Sequence, residues 1–406
     1  MQLKNVVVVG GGQAGFSTAA KLRSLGCDAR ITLVCAENEL PYQRPPLSKK
    51  YLLGDFARER LYLRPASYYR DNSIDLLLGQ RGRRIDPGAK RLELDATSIE
   101  YDELVLATGS IPRRLPAVIG GNLEGVHTIR TVADIDSLQP EFQPGRRVLV
   151  VGGGYIGLEA ASAAVVCGME VTVIEAADRI LQRVACPQTS SFMAEVHRQK
   201  GVDLLEACGL EKLLGSSRVE AAKFTDGTAL EVDLVVVGIG IVPDSGLAAQ
   251  AGASAELGIV VDSYGRTSIP HIWAAGDCTV FPFRDRRIRL ESVQNAIDQA
   301  ECVAQNILGA EREYLPVPWF WSDQYDAKLQ IAGLGFGSNR ILSRLGRTSD
   351  SVSFWYMKDD RVLAVDAVND PRSYMIGKRL IEMDKRVDGA LIEDASVNLK
   401  VLLRSR

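Results

Sequence analysis

Apolar residues along this chain come in short, unbroken runs, and glycines close them. Val6-Val7-Val8-Val9 leads into Gly10-Gly11-Gly12-Gln13-Ala14-Gly15, and Val148-Leu149-Val150-Val151 leads into Gly152-Gly153-Gly154-Tyr155-Ile156-Gly157. Runs of this length without alternation suit parallel strands covered on both faces. A helical stretch follows each glycine cluster, and then a second strand: Ile31-Thr32-Leu33-Val34 before Glu37, and Val171-Thr172-Val173-Ile174 before Glu175. Two further runs have the same texture. Residues 101–109 close on Ala107-Thr108-Gly109, and residues 234–240 close on Gly238-Ile239-Gly240. Ile272-Trp273-Ala274-Ala275 meets Gly276-Asp277-Cys278, which predicts a strand, a loop and a helix. That strand belongs best with the first unit, so the chain is expected to leave this unit and return to it. From Pro316 the texture changes. Trp319, Phe320 and Trp321 cluster, and short alternating runs follow at 351–357 and 362–365. These predict antiparallel strands of a smaller domain, with a polar helical tail ending at Arg406.

The two glycine clusters share the pattern G-x-G-x-x-G. The first glycine makes a tight turn, the second admits a pyrophosphate close to the backbone, and the third lets helix and sheet approach. The phosphates then face free N–H groups at a helix N-terminus. From Gly15 to Glu37, and from Gly157 to Glu175, the separation is near the roughly 20 residues expected for an acid that binds a ribose diol. One such pattern is weak evidence, but two complete strand–glycine–helix–strand–acid units imply two dinucleotides. The expected class is α/β, with two Rossmann-type dinucleotide-binding domains and an α+β C-terminal domain. The expected boundaries are 1–111 with 244–315 for the first, discontinuous domain, 112–243 for the second, and 316–406 for the third.

Composition narrows the field. A chain of 406 residues, 46% hydrophobic and 24% charged, is that of a globular protein of about two to three domains. Its net charge of −3 speaks against bulk nucleic-acid binding. No run reaches the ~18 apolar residues of a membrane span. The first strand begins almost at once, at Lys4-Asn5-Val6, which leaves no room for a signal peptide. A cytoplasmic protein is expected. The seven cysteines are scattered without C-x-x-C spacing, and the three histidines, His127, His197 and His271, join no cysteine cluster. Reduced thiols are expected, and no metal site.

The surroundings distinguish the two nucleotide sites. Pro41-Tyr42-Gln43-Arg44-Pro45-Pro46-Leu47-Ser48-Lys49 follows the first acid, and its prolines fix the backbone around Arg44 and Lys49. Asp277 suits a polyol chain. The helix starting near Ser292-Val293 presents a positive end to a reduced flavin. The first site is therefore expected to hold FAD. At the second, the Glu175 carboxylate pairs with a free 2′-hydroxyl and repels a 2′-phosphate, which favours NADH.

These segments, together with Gly152–Glu159, Gly238–Pro243, Ala275–Cys278, Glu291–Ala296 and Trp319-Phe320-Trp321-Ser322-Asp323-Gln324, resemble the NADH-dependent ferredoxin reductases of bacterial oxygenase systems over essentially the whole chain. The resemblance implies a glutathione-reductase-like fold and hydride transfer from NADH to FAD. Single electrons then pass to a [2Fe–2S] ferredoxin that supplies a P450 or a Rieske-type oxygenase. It assigns FAD contacts to Ala14, Glu37, Arg44, Lys49, Arg130, Asp277 and Val293. It assigns NADH contacts to 152–159, Glu175 and 238–240. Lys49 and Glu159 are implied as a charge pair that tunes the cofactors, and Trp321 as a residue near the flavin where the electron partner docks. Gly82, in Gln80-Arg81-Gly82-Arg83-Arg84, departs from the apolar residue usual near the adenine and leaves only a backbone contact. Arg284, Arg286, Arg287 and Arg289 form a candidate docking patch for an acidic ferredoxin. A rubredoxin partner, or an apoptosis-inducing-factor-like NADH-responsive role, is the alternative. A disulfide reductase or peroxidase lacks its dithiol or cysteine, since Tyr42 stands where a peroxidase of this fold carries the reactive thiol.

Overall fold

The computed structural model describes residues 3–404. Met1, Gln2, Ser405 and Arg406, the outer ends of the first and last expected domains, lie outside the described residues. By its contacts the chain divides into two units. One comprises Met1–Arg44, Ala57–Ile111 and Ile241–Pro316, and the other Pro45–Phe56, Pro112–Gly240 and Val317–Arg406.

In the first unit the apolar runs form a five-stranded parallel sheet in the order Ile272–Ala274, Glu103–Leu106, Asn5–Val9, Arg30–Val34, Ile74–Leu77. Val6–Val9 lies at the centre, paired with Ile31–Val34 on one side and Glu103–Leu106 on the other. The helices Gln13–Ser24 and Val293–Ile307 complete the core, where Phe16, Ala19, Leu22, Ala300 and Val303 pack with Val8, Ile31 and Val105. The return strand joins this sheet through Glu103–Leu106.

The strand, loop and helix expected from Ile272–Cys278 need correction. Asp277 lies in a loop that leads to the strand Thr279–Phe283, which turns back as Arg286–Ile288, and the helix begins only at Val293. The β-branched and aromatic residues of Thr279-Val280-Phe281 favour extended backbone, and Pro282 opposes a helix there. Asp277 is therefore not at a helix junction.

The second unit repeats the parallel sheet in the order Asp203–Leu205, Glu170–Ile174, Arg147–Val151, Leu234–Val237, Val126–His127. Its C-terminal part is a five-stranded antiparallel sheet ordered Trp319–Gln324, Ala327–Gly333, Arg361–Val368, Val352–Lys358, Arg340–Leu345. The helix Pro371–Glu382 rests on this sheet, and a Cβ at Gly377 would come within 2.5 Å of Val365. Between the two sheets runs the helix Tyr155–Val166, buried continuously from Gly157 to Ala164. A helix buried all round over two turns needs cover on every side. Its own parallel sheet supplies one cover and the Trp319–Gln324 strand another.

A second joint is polar. Asp366, 1% exposed, accepts hydrogen bonds from Tyr356 Oη at 2.6 Å and Thr189 Oγ1 at 2.7 Å. Cys186 N donates to Tyr356 Oη at 2.6 Å. Burial pushes the Asp366 carboxyl up to about 6, against the opposing effect of these hydroxyl donors. Its folded pKa lies above its unfolded value, so its stabilising contribution is complete in acid and is lost as pH rises through about 6. The stability of the wild type relative to Asp366→Asn should therefore fall by roughly 2–3 kcal/mol between pH 4 and pH 7. Paired denaturation curves at the two pH values test this, and a constant difference would refute it.

Candidate functional site

The two glycine loops have one geometry built twice. Gly10 has φ +126°, and a Cβ there would meet Ala107 O at 2.1 Å; Gly152 has φ +108°, and its Cβ would meet Gly238 O at 2.6 Å. Cβ atoms at Gly15 and Gly157 would strike the carbonyls of Gly10 and Gly152 at 1.8 and 2.1 Å. These glycines let the helix pack on its sheet. Gly12 and Gly154 differ: a Cβ at Gly12 would have no neighbour within 4 Å, and one at Gly154 only Gly238 O at 3.9 Å. Each is the N-cap of its helix, and neither end carries a side-chain cap. Both helices thus present unsatisfied N–H groups to open space, which suits a pyrophosphate.

In the first unit Glu37 is held by two neighbours. Tyr42 Oη donates to Oε2 at 2.6 Å, Arg44 Nη2 donates to Oε1 at 2.8 Å, and Arg44 Nη1 donates to Tyr42 Oη at 2.9 Å. Burial alone would lower the Arg44 pKa. Tyr42, Glu37 and Asp277 together outweigh it and hold the guanidinium above its ordinary value. The turn at Ala107-Thr108-Gly109 is fixed by Thr108 Oγ1 donating to Asp244 O at 2.5 Å and by Asp244 N donating to Gly109 O at 2.9 Å. Ser110 Oγ reaches Asp277 at 3.4 Å, and Gly276 N donates to Gln299 Oε1 at 2.8 Å. Ser292 caps the helix, its Oγ accepting from Asn295 N at 3.1 Å, and Val293 is the first helical residue. At Gly82 a Cβ would lie 3.1 Å from Leu247 and 3.3 Å from Leu92, so these side chains occupy the space an apolar residue would fill. Tyr42, Gln299 and Asp244 escaped the sequence reading. Tyr42 had a local signal, lying between the acid and Arg44.

In the second unit Glu175 is anchored by backbone. Gly153 N donates to Oε2 at 2.7 Å and Ala177 N to Oε1 at 2.8 Å. Glu159, one turn into the helix, is buried with its side chain 3% exposed. It receives Lys49 Nζ at 2.5 Å and Ser48 Oγ at 2.6 Å on Oε2, and Ser322 Oγ at 2.7 Å on Oε1. Ser48 and Ser322 were not foreseen, because nothing local ties residues so far apart. Tyr155 packs against Phe320 with centroids 4.6 Å apart and planes tilted by 37°, and its buried Oη has no hydrogen-bond partner among the described residues. Trp321 is half-buried, with its ring 5.6 Å from Trp319. Ile156 and Ile239 are exposed at 43% and 38%. A Cβ at Gly240 would lie 3.8 Å from Arg183 Nη2 and 4.0 Å from Arg113 Cδ, so two arginines the sequence reading missed stand at this strand exit. Pro45, Lys49, Arg130 and Trp321 belong to the second unit, and the other expected FAD contacts to the first. Arg130 N donates to Asp134 Oδ2 at 3.0 Å, just ahead of a capped helix.

The arginine cluster at 284–289 is on the exposed hairpin, but its charge is reduced. Arg286 pairs with Asp285 at 3.3 Å and Arg289 with Glu291 at 2.6 Å. Thiol chemistry finds no support here. All seven cysteines are free, and burial pushes Cys35 up to about 12 and Cys278 up to about 11, so neither supplies a thiolate at neutral pH.

Comparison with known proteins agrees with this geometry. Residues 4–300 match the family described as pyridine nucleotide-disulphide oxidoreductase, and 319–403 match the reductase C-terminal family. The chain is 42% identical to rhodocoxin reductase of Rhodococcus erythropolis, over 98% of this chain and 94% of the relative. It is also 42% identical to the 5,5′-dehydrodivanillate O-demethylase ferredoxin reductase subunit of a Sphingobium species, over 98% of this chain and 97% of that one. The reductase in the covalent putidaredoxin reductase–putidaredoxin complex superimposes with a TM-score of 0.95 at 39% identity, covering 99% of this chain and 98% of that one. The chain belongs to the ferredoxin reductases of the pyridine nucleotide-disulphide oxidoreductase family. This ferredoxin reductase accordingly has the glutathione-reductase-like α/β fold and uses FAD and NAD(H).

The glycine geometry gives a paired prediction. Gly154 has ordinary extended backbone, φ −81° and ψ 176°, so Gly154→Ala should fold normally. Its methyl would occupy the space proposed for pyrophosphate and weaken NADH at least about tenfold, or ~1.4 kcal/mol. Gly157→Ala should instead lower thermal stability. Calorimetry and NADH titration distinguish the two effects.

Proposed function

We propose that the protein takes reducing equivalents from NADH and delivers single electrons to a [2Fe–2S] ferredoxin serving a P450 or Rieske-type oxygenase. The observation that carries this is the pair of uncapped helix N-termini over open glycine loops, each with its own anchored acid. FAD, when bound, supplies the chemistry, accepting a hydride and releasing electrons one at a time. The chain's residues bind, orient and set charge.

In this assignment 1–111 with 244–315 forms the FAD domain, 112–243 the NADH domain and 316–406 the interface domain. Gly10, Gly12, Gln13, Ala14 and Gly15 cradle the FAD pyrophosphate, and Glu37, kept in place by Tyr42 and Arg44, takes its ribose. Gly82, Ala107–Gly109, Gly276, Asp277, Ser292 and Val293 complete that site, with Pro45, Lys49, Arg130 and Trp321. Gly152, Gly154, Tyr155, Ile156 and Gly157 cradle NADH, with Glu159, Glu175 and 238–240. Lys49 and Glu159 set the local charge felt by the reacting rings. Such a buried pair does little for stability, since desolvation offsets the attraction. Arg284 and Arg287 lead the ferredoxin-facing patch, and Trp321 serves electron exit. The free, scattered thiols fit a cytoplasmic site of action.

Glu175 lies on backbone N–H groups with no cationic partner among its hydrogen bonds. Glu175→Ala should weaken NADH by roughly tenfold and narrow its advantage over NADPH. Parallel titrations with both nucleotides check this; an unchanged preference would remove Glu175 as the ribose ligand. The overall proposal is tested anaerobically, with NADH added to the holoprotein and then an oxidised [2Fe–2S] ferredoxin. Fast bleaching of the flavin band, followed by its recovery as ferredoxin is reduced, is expected. Bleaching without transfer would indicate a rubredoxin or a signalling role of the apoptosis-inducing-factor kind.

A further inference from the structure

Behind Glu159 lies a chain of buried polar groups. Ser322 Oγ, which donates to Glu159, accepts from Gln324 Nε2 at 3.1 Å. Gln324 Oε1 meets His197 Nε2 at 2.8 Å, and His197 Nδ1 meets Tyr325 Oη at 3.0 Å. Ser322, Gln324 and His197 are fully buried. The direction of every link follows from its end. The carboxylate, ion-paired with Lys49, only accepts, so Ser322 donates to it and takes its own bond from the Gln324 amide. Gln324 then offers its carbonyl, His197 must carry its proton on Nε2, and Tyr325 donates to Nδ1. Burial lowers the His197 pKa, which agrees with this neutral tautomer. All four donors point the same way, toward Glu159, and such chains polarise one another.

We propose that His197 is a positioning residue for Glu159, acting through Gln324 and Ser322. Strand alternation puts Ser322 and Gln324 on one face of Trp319–Gln324. His197, on the helix Pro187–Gln199, locks the amide of Gln324 in the only orientation that donates to Ser322. An amide is a poor proton conductor, so the chain orients a carboxylate and does not transport protons. The consequence for hydride transfer rests on the proposed place of Glu159 in the NADH site.

The test uses the FAD-loaded protein and two variants. His197→Phe removes the ring nitrogens, whereas His197→Gln keeps an N–H near the Nε2 position. In the crystal structure of His197→Phe, Ser322 and Glu159 should turn from their wild-type directions. A misdirected Ser322–Glu159 bond, the one link of the chain to a charged group, corresponds to roughly a tenfold or greater slowing of hydride transfer in stopped flow. The NADH Kd should stay within about twofold, and His197→Gln should recover the rate. If His197→Phe does not accumulate, Gln324→Met cuts the chain at the next link with similar volume. An unmoved Glu159, or a His197→Gln as slow as His197→Phe, would overturn the proposal. A turned Glu159 with an unchanged rate would keep His197 as its positioner and instead refute the place assigned to Glu159 beside the nicotinamide.

Discussion

A single buried carboxylate organises the second unit. Glu159 sits on a helix otherwise built, apart from Tyr155 and Ser162, of alanine, glycine and aliphatic residues, where an unpaired charge would cost several kcal/mol. The structure meets that cost with three donors from two separate places: Ser48 and Lys49 from one short segment, and Ser322 from the strand Trp319–Gln324. The segment Pro45–Phe56 and the sheet beginning at Trp319 thus meet at one side chain of the helix that covers the parallel sheet of the second unit. The apolar contacts around the helix provide affinity without direction. The Glu159 bonds fix which residues of each element meet.

The two acids that end the second strands show how one motif is given two characters. Glu37 is matched by an arginine and a tyrosine, so its charge is locally compensated. Glu175 takes only backbone N–H groups, which hold its position but leave its full negative charge. At short range in a partly dry site a second negative charge beside it is strongly repelled. Among the described residues Glu175 thus has no cation in its hydrogen bonds to offset an added phosphate charge, whereas Glu37 has Arg44.

Much of this was legible in the sequence because it is local. The glycine spacing, the strands before it and the acids after it lie within one βαβ unit, where chain geometry leaves few choices. The antiparallel C-terminal sheet was visible in alternating runs such as 351–357. The hairpin at 279–288 was missed because Ile272–Cys278 was read as a strand meeting a loop and then a helix, although Pro282 stood against it. Ser48, Ser322, Gln324 and His197 could not be read as partners of Glu159, since their meeting depends on how separate sheets pack. Asp285 and Glu291, acids close to the arginine patch in sequence, pair with two of its members, Arg286 and Arg289.

The placement of the thiols carries a consequence of its own. Burial raises the pKa of Cys35, Cys167, Cys208, Cys278 and Cys302, so these groups are held in the unreactive thiol form. Cys35 lies directly against the first glycine loop, where a Cβ on Gly11 would come within 2.7 Å of its sulfur. A sulfenic acid there would need room the loop does not have. Cys35, 1% exposed and held as the thiol, is thereby shielded from oxidants in the surrounding solvent, and the loop it underlies keeps its shape where a more open thiol would be oxidised.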